Sequence, residues 1–421
     1  MFYDFDAKLI KMRDEALSSL KGEFEYIDDI AVYNQQKVMH AFLKNKVSES
    51  HFVSSTGYGY GDRGREVIDV VFADIFSCEA ALVRHNFVSG THALTCALFG
   101  LLRPGDTLLS VTQRPYDTLH GVIFSNGGDT GSLADFGIGY RQVEFRNGKI
   151  DFDAVRSALE KSVKVVFIQR SKGYDPTREA LACEDIEEIC KFVKGIKKDV
   201  ICMVDNCYGE FTQIVEPADA GADLAVGSLI KNPGGGMSLT GGYIAGKKDL
   251  VEKCAYRLTA PGVGAEVGAT LGQNVNILKG IFMAPHVVKE SLRTALFCAR
   301  LFEMLGYEVY PKADEKRFDI IQSIKFNEEG PLVAFCQGIQ KGSPIDAFVI
   351  PEPWDMPGYT SKVIMAAGGF TQGASIELSA DAPIKEPYMA FLQGALTFES
   401  GLVGIMCAAQ NLLDKGFIKL G

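Results

Sequence analysis

The sequence predicts a doubly wound α/β domain with a mainly parallel sheet, followed by a smaller α+β domain. Residues 107–198 alternate between short apolar runs and amphipathic segments, which is typical of the strands and helices of a parallel sheet. Two more apolar runs of strand length follow, Val200 to Val204 and Asp223 to Gly227. From about Tyr307 the pattern changes to several strands around one helix, which predicts the second domain.

The composition indicates a globular chain whose ligands are small molecules. Its 421 residues are 47% hydrophobic, which is enough for two cores, and its net charge of -10 disfavours nucleic acid and anionic membranes as partners. No apolar run approaches membrane-spanning length and the first residues are acidic where a signal peptide would be apolar, so we expect a cytoplasmic protein. The ten cysteines form no CxxC pair, which predicts reduced core residues and no metal site.

We expect an N-terminal helical segment at residues 1–46, a large domain at 47–284 and a small domain at 285–421. The first segment reads as two helices broken at Gly22. The other predicted helices are 66–76, one that follows His92 and is closed by Arg103-Pro104-Gly105, 116–125, 153–161, 184–198, one from Lys247, 270–282, 284–305, 332–341 and 388–413. The predicted strands beyond those named above are one near Val83 and those at 107–111, 142–145, 164–169, 242–245, 320–326, 345–349, 362–367 and 374–378.

A glycine-rich loop, His51 to Arg65, precedes the first helix of the large domain. It carries Tyr58, Tyr60 and two arginines, one of them Arg63. Guanidinium groups bind planar oxyanions through paired hydrogen bonds, so this loop suits a phosphate or a carboxylate. A solvated turn explains the same local pattern equally well.

The next motif, Ser89-Gly90-Thr91-His92, joins a short strand to an apolar helix. The first amides of a helix are unpaired and carry the positive end of its dipole, so such a turn can hold a phosphate. Gly90 lets the backbone approach a ligand, and the hydroxyls of Ser89 and Thr91 can donate hydrogen bonds. The same residues also suit an ordinary helix cap, and His92 either faces a ligand or fills the helix interior.

Several polar residues follow the ends of predicted strands. They are Tyr116, Ser171, Asp205, Ser228 and Lys231. Because the carboxyl ends of parallel strands face the ligand crevice, we expect these side chains to meet over one site. A lysine there can form a Schiff base, and an aspartate can hold a protonated pyridine nitrogen, which is the pair that pyridoxal phosphate requires. The alternative is that the aspartate and the lysine only cap helices.

Together these motifs resemble the cystathionine γ-synthase and methionine γ-lyase branch of the fold-type I enzymes that use pyridoxal 5'-phosphate. The resemblance is greater to the family of aluminium-resistance or methionine γ-lyase-like proteins. It rests on the arm Tyr58 to Arg65, the run Val83 to Leu94 ending SGTHAL, the turn QRSKGY, Val204-Asp205-Asn206, the string SLIKNPGGG and the segment Ser375 to Tyr388. It implies the fold-type I transferase fold and a role for each matched residue.

By this resemblance, Lys231 is the Schiff-base lysine and Asp205 is the partner of the pyridinium nitrogen. Tyr116 stacks on the cofactor ring, and Ser171 is positioned to donate to its phenolic oxygen. The implied phosphate ligands are Ser89, Gly90, Thr91 and Ser228. The implied arm that reaches a neighbouring subunit's phosphate consists of Tyr58, Tyr60 and Arg63. We therefore expect a homodimer or homotetramer with shared active sites.

One departure from the family pattern concerns the substrate. The better-known relatives hold the substrate carboxylate with an arginine of the small domain, whereas this chain has no arginine after Arg317. Lys385, Arg170 and Arg65 are the candidates for that role. The expected activity is a pyridoxal-phosphate-dependent carbon–sulfur lyase, which acts by β- or γ-elimination on a sulfur amino acid such as cystathionine or methionine. An aminotransferase or aldolase on the same fold, or a non-catalytic metal-tolerance protein, are the alternatives.

Overall fold

The computed structural model describes residues 2–125, 127–175, 178–356 and 361–420. The chain divides into two compact units, each built around its own sheet. The first comprises Asn34–Phe282, and the second comprises Met1–Tyr33 together with Met283–Gly421.

Eleven α-helices occur in the described residues. They are α1 (Ala7–Ser19), α2 (Lys21–Lys44), α3 (Arg63–Ile75), α4 (Gly90–Leu101), α5 (Asp117–Ile123), α6 (Phe152–Ala158), α7 (Cys183–Ile196), α8 (Lys248–Leu258), α9 (Asn274–Met304), α10 (Glu329–Lys341) and α11 (Phe398–Asp414). Most of them lie within a few residues of the predicted segments.

Seven described strands form the sheet of the first unit. They are β1 (Ala80–Arg84), β2 (Thr107–Ser110), β3 (Gly139–Gln142), β4 (Val163–Gln169), β5 (Ile201–Asp205), β6 (Leu224–Ser228) and β7 (Gly242–Gly246). Their order is β1-β7-β6-β5-β4-β2-β3, and only β7 runs antiparallel to its neighbours. The predicted doubly wound, mainly parallel sheet is therefore confirmed.

Helices cover both faces of this sheet, which explains why its central strands read as continuous apolar runs. Along β4, Val165 and Phe167 pack with α4, α5 and α8, whereas Val166 and Ile168 pack with α6 and α7. Alternate side chains of one strand thus enter two separate cores. The polar residues of this sheet concentrate where the strands end.

The second unit contains a five-stranded antiparallel sheet, which confirms the predicted smaller α+β part. Its strands are β8 (Glu308–Tyr310), β9 (Ile321–Lys325), β10 (Val363–Ala367), β11 (Ser379–Pro383) and β12 (Met389–Gln393), in the order β10-β11-β12-β9-β8. Helix α10 covers this sheet with buried residues such as Leu332, Phe335 and Ile339.

Three predicted elements of the second unit are wrong. Residues 345–349 form a turn because the amide of Gln340 donates to the carbonyl oxygens of Ile345 and Asp346. Residues 374–378 also turn, since the carboxylate of Glu377 accepts the backbone N–H groups of Phe370 and Thr371. The predicted helix 388–413 begins instead as β12, whose residues pair with β9, and only its later part is helical.

Two predicted helix breaks are also wrong. Gly22 lies inside α2. The break between the two helices is instead at Leu20, the residue between the end of α1 and the start of α2. Pro285 lies inside the 31-residue helix α9, where the sequence predicts two helices. Ala284, Val287 and Val288 are buried beside it, so apolar packing outweighs the hydrogen bond that proline cannot donate.

Candidate active site

The ends of three adjacent parallel strands bring the candidate residues of the first unit together. Gln169 at the end of β4 lies opposite Asp205 at the end of β5, and Asp205 lies opposite Val226 in β6. Ser228 ends β6 two residues further on, and Lys231 follows it. These residues therefore share the carboxyl edge of the sheet, where ligands bind in open α/β folds.

Asp205 is a buried carboxylate, with 3% of its surface exposed. Its Oδ1 accepts the backbone N–H of Cys207 at 3.1 Å, and the Cys207 thiol also bonds to it. Burial raises the pKa of Asp205, and the nearby charge of Lys231 opposes that rise without cancelling it. A carboxylate held this way is poised to take a strong cationic hydrogen-bond donor, such as a protonated ring nitrogen.

Lys231 is half-buried beside the ring of Tyr208, with its Nζ 4.0 Å from the ring centroid. Burial lowers the pKa of Lys231, but the neighbouring groups Cys207, Tyr208 and Asp205 raise it when ionised, and the net shift is upward. Tyr208 has a φ of 73°, a strained conformation for a bulky residue and one that is found preferentially at functional sites.

The backbone that carries Lys231, residues 229–238, is held tightly, and we call it the lysine turn. Asn232 donates to the carbonyl oxygens of Tyr208 and Glu210 at 3.0 and 2.9 Å. A side chain at Gly234 would overlap the carbonyl oxygen of Leu229, so the turn requires glycine there. The lysine turn is thus fixed to the segment that follows Asp205.

The N-terminus of α4 lies against the same edge. Ser89 caps the helix by accepting the backbone N–H of His92 at 3.1 Å. A Cβ added to Gly90 would lie 3.2 Å from Cβ of Ser228 and 3.5 Å from the sulfur of Cys207. The helix start, the end of β6 and the segment that follows β5 therefore meet around one glycine. An anion bound there would face the N–H groups of the first turn that Ser89 does not occupy.

His92 has a structural role in this turn. Its Nδ1 accepts the backbone N–H of Val88 at 3.1 Å, and its ring packs edge-on against Phe87. Burial lowers the pKa of His92, so the ring remains neutral and can accept this bond. Of the two alternatives for His92, the local structural one is favoured.

Tyr116 and Ser171 complete the cluster. The Tyr116 hydroxyl lies 3.1 Å from Oγ1 of Thr91, and its backbone N–H donates to the side chain of Gln169 at 3.2 Å. Burial and the charge of Asp205 raise the pKa of Tyr116, which keeps its hydroxyl protonated. Ser171 is buried, and its hydroxyl oxygen accepts the backbone N–H of Gly173.

The glycine-rich arm presents its tyrosines and Arg63 to solvent. Tyr58 and Tyr60 stack on each other with ring centroids 5.6 Å apart, and both are exposed. Arg63 begins α3 and is exposed as well. The arm's roles in a neighbouring subunit's site remain predictions.

Two of the three candidates for the substrate carboxylate are already engaged inside the first unit. Arg65 donates to the carbonyl oxygens of Gly59, Gly268 and Glu266 at 2.7–3.1 Å. Arg170 is fully buried and binds Asn206 at 2.8 Å and Gln213 at 3.0 Å, with Glu216 at 3.5 Å. Both guanidinium groups stabilise the fold. Lys385 lies in the second unit and is exposed.

Sequence reasoning missed three residues near the site. Tyr208 is three residues after Asp205. Its position against Lys231 depends on its left-handed backbone conformation, which cannot be predicted from the residue type. Glu210 is fully buried and accepts the hydroxyl of Tyr243 at 2.9 Å. Arg178 is buried beside the turn that carries Tyr116, where it donates to the carbonyl oxygen of Arg114 at 2.7 Å. The sequence around the last two residues, YGEFT and DPTREA, carries no signal of their burial.

The sheet order and the lysine–aspartate edge define the fold-type I architecture of enzymes that use pyridoxal phosphate. A pyridoxal-5'-phosphate-dependent protein of Escherichia coli shares this fold, with a TM-score of 0.62 at 14% identity over 92% of this chain and 97% of that chain. The chain belongs to the methionine gamma-lyase family, whose profile matches residues 9–413. The resemblance inferred from the motifs is thereby confirmed.

Two relatives match nearly the whole chain, and a third matches about half of it. An uncharacterized protein of Bacillus subtilis is 50% identical over 97% of this chain and 98% of its own length. The crystal structure of a carbon-sulfur lyase involved in aluminum resistance from Clostridium novyi is 52% identical, with a TM-score of 0.93 over 97% of this chain and 96% of that chain. L-methionine gamma-lyase of Pseudomonas putida is 27% identical over 51% of this chain and 48% of its own length.

Two properties of the described residues concern membranes and metal ions. Every helix among them is too short or too polar to cross a lipid bilayer. Those same parts of the chain hold no group of three or more histidine, cysteine or acidic side chains placed to bind a metal ion.

Proposed function

We propose that this protein is a pyridoxal-phosphate-dependent carbon–sulfur lyase that acts on a sulfur amino acid by β- or γ-elimination. The observation that carries the proposal is the meeting of Asp205, Lys231 and the N-terminus of α4 at one edge of the parallel sheet. Membership of the methionine gamma-lyase family and the relative from Clostridium novyi support the reaction class.

The residues present fit the cofactor. The open amides at Gly90, with Ser89, Thr91 and Ser228 around them, suit its phosphate, because helix N-termini bind anions. The buried carboxylate of Asp205 suits its ring nitrogen, and Lys231 suits a covalent bond to its aldehyde carbon. When bound, pyridoxal phosphate supplies an electron sink that stabilises negative charge on the substrate Cα.

Each residue of the chain then has a defined task. Asp205 keeps the ring nitrogen protonated, which its charge achieves best in a site shielded from water. Lys231, once displaced by the substrate amine, is the base that takes the Cα proton. Once Lys231 has taken that proton, the ring of Tyr208 stabilises the resulting lysine cation.

Elimination follows from the charge left on the substrate. Negative charge at Cα expels a sulfur leaving group from Cβ directly. Expulsion from Cγ first requires loss of a proton from Cβ. Either route yields a thiol, and hydrolysis of the remaining fragment yields a keto acid and ammonia. Lys231 is the group placed to return the proton that the departing thiolate needs.

The test has two parts, binding and reaction. The purified protein with pyridoxal phosphate should absorb visible light, and borohydride should fix the cofactor on the peptide that contains Lys231. Lys231→Ala should lose both signals. With the cofactor-loaded wild type, sulfur amino acids should release thiol and keto acid in equal amounts. Keto acid with pyridoxamine phosphate and no thiol would instead identify an aminotransferase, and labelling of another lysine would contradict the assigned site.

A further inference from the structure

Arg178 is a buried guanidinium group with few partners. Only 3% of its surface is exposed, and within the described parts of the chain it makes a single hydrogen bond, to the carbonyl oxygen of Arg114. Among the same residues its Nε has no hydrogen-bond partner, and no carboxylate lies at ion-pair distance from it. A charged group that is removed from water normally faces an anion or several acceptors.

Three other buried guanidinium groups of this unit follow that rule. Arg65 donates to three carbonyl oxygens, and Arg170 binds two side-chain oxygens with a carboxylate close by. Arg84 donates to both oxygens of Asp69 at 2.7 and 2.9 Å. Arg178 therefore differs from all three in how few acceptors it meets, since each of them binds at least two oxygens.

Arg178 lies at the same sheet edge as the candidate active site. Its partner Arg114 is two residues before Tyr116, and the Tyr116 backbone is tied to Gln169 at the end of β4. Burial lowers the pKa of Arg178, while the charges of Asp175 and Asp205 oppose that shift. A guanidinium group nevertheless stays protonated at neutral pH, so this edge carries a fixed positive charge beside Asp205.

We propose that Arg178 binds the α-carboxylate of the amino-acid substrate, because this chain has no arginine after Arg317 to take that role. The proposal rests on the function proposed above. Its chemistry is that of guanidinium and carboxylate, which form two parallel charge-assisted hydrogen bonds. A carboxylate at this point would also provide the anion that the buried Arg178 otherwise lacks.

The cofactor phosphate is a second anion that a guanidinium group would bind. The substrate carboxylate is favoured as the partner of Arg178, because the helix start at Gly90 already suits the phosphate. The two sources differ in a way that can be measured. A phosphate partner affects the preference for pyridoxal phosphate over pyridoxal, whereas a carboxylate partner affects the preference for amino acids over amines.

The experiment compares Arg178→Gln and Arg178→Lys with the wild type, and uses Arg114→Gln as a matched control. The Arg114 side chain is exposed, so its replacement removes a nearby positive charge but keeps the carbonyl group that Arg178 binds. The cofactor-loaded proteins are titrated with alanine and with ethylamine, which lacks the carboxylate, and the cofactor absorption is followed. Hydrogen bonds to charged groups predict that Arg178→Gln weakens alanine binding by roughly 10- to 100-fold and leaves ethylamine binding unchanged.

Arg178→Lys should retain part of the preference for alanine, and Arg114→Gln should retain all of it. Equal weakening of alanine and ethylamine by Arg178→Gln would assign Arg178 a merely structural role and overturn the proposal. Loss of the preference for pyridoxal phosphate over pyridoxal would assign it to the phosphate and overturn the proposal as well. Circular dichroism checks that each variant is folded.

A second measurement is independent of the cofactor. Butyrate should raise the melting temperature of the cofactor-free wild type and of Arg114→Gln, but not that of Arg178→Gln. Stabilisation of all three proteins alike would contradict a carboxylate site at Arg178. If butyrate discriminates as expected but borohydride labels no lysine, the proposed lyase function fails while the carboxylate site stands.

Discussion

The free energy of unfolding of the wild type should fall as the pH rises, because Glu210 is buried. Replacing Glu210 by Gln should remove this part of the pH dependence. Glu210 is 0% exposed, and its Oε1 accepts the hydroxyl of Tyr243 at 2.9 Å. Its Oε2 has no partner within the described chain. Burial, reinforced by the charge of Glu216, raises the pKa of Glu210 from 4.5 to about 8.

The sign of the effect follows from where the proton is held. The unfolded chain ionises Glu210 near its ordinary pKa, whereas the folded chain keeps it protonated up to about pH 8. Unfolding therefore releases a proton, and the free energy of unfolding falls as the pH rises between those two values. The slope approaches about 1.4 kcal/mol per pH unit, or about 3 kcal/mol between roughly pH 5.5 and pH 7.5.

The assay is urea unfolding of the cofactor-free protein at several pH values, followed by circular dichroism. Glutamine keeps the shape of a protonated glutamate but does not titrate. The difference in unfolding free energy between Glu210→Gln and the wild type should therefore grow in favour of the variant with rising pH. Glu179→Gln, at an exposed position, is the control and should leave the slope unchanged. Parallel curves for the wild type and Glu210→Gln would refute the reasoning.

Three other outcomes test the site. Asp205→Asn should still take up the cofactor, as absorption would show, but should exchange the substrate Cα proton more slowly by orders of magnitude; unchanged exchange would make Asp205 a structural residue. Gly90→Val should lower the affinity for pyridoxal phosphate more than that for pyridoxal, because its side chain would crowd Ser228; equal losses would place the phosphate elsewhere. Mixed dimers of Lys231→Ala and Arg63→Ala chains should regain activity if each arm serves the neighbouring subunit, and the absence of recovery in dimers verified by mass would reject the shared site.

The sequence was sufficient for the elements that have a strong local period. The central strands were predicted to within a residue or two because they are apolar throughout, and this property follows from burial on both faces. The errors fall where side chains redirect the backbone. Glu377 and Gln340 each bond to nearby backbone groups and turn a segment that its residue types alone favour as a strand.

The candidate site divides in a similar way. Asp205, Ser228 and Lys231 were predictable because strand ends converge in a parallel sheet, whatever the distances along the chain. Tyr208 and Arg178 were not, since their positions depend on a left-handed turn and on a contact across 64 residues of chain. The sequence also named Arg65 and Arg170 as carboxylate candidates, because it does not reveal which guanidinium groups already bind oxygens of the fold.

The tight lysine turn has a consequence for the timing of catalysis. Its backbone is closely packed, because a side chain at Gly234 would overlap Leu229, and Asn232 ties the turn to Tyr208 and Glu210. The amine of Lys231 must therefore travel by rotation of its own flexible side chain, and such rotations take picoseconds to nanoseconds. Movement of the Lys231 amine thus does not depend on slower backbone motion. A slow step of turnover would therefore involve the substrate or other segments of the chain.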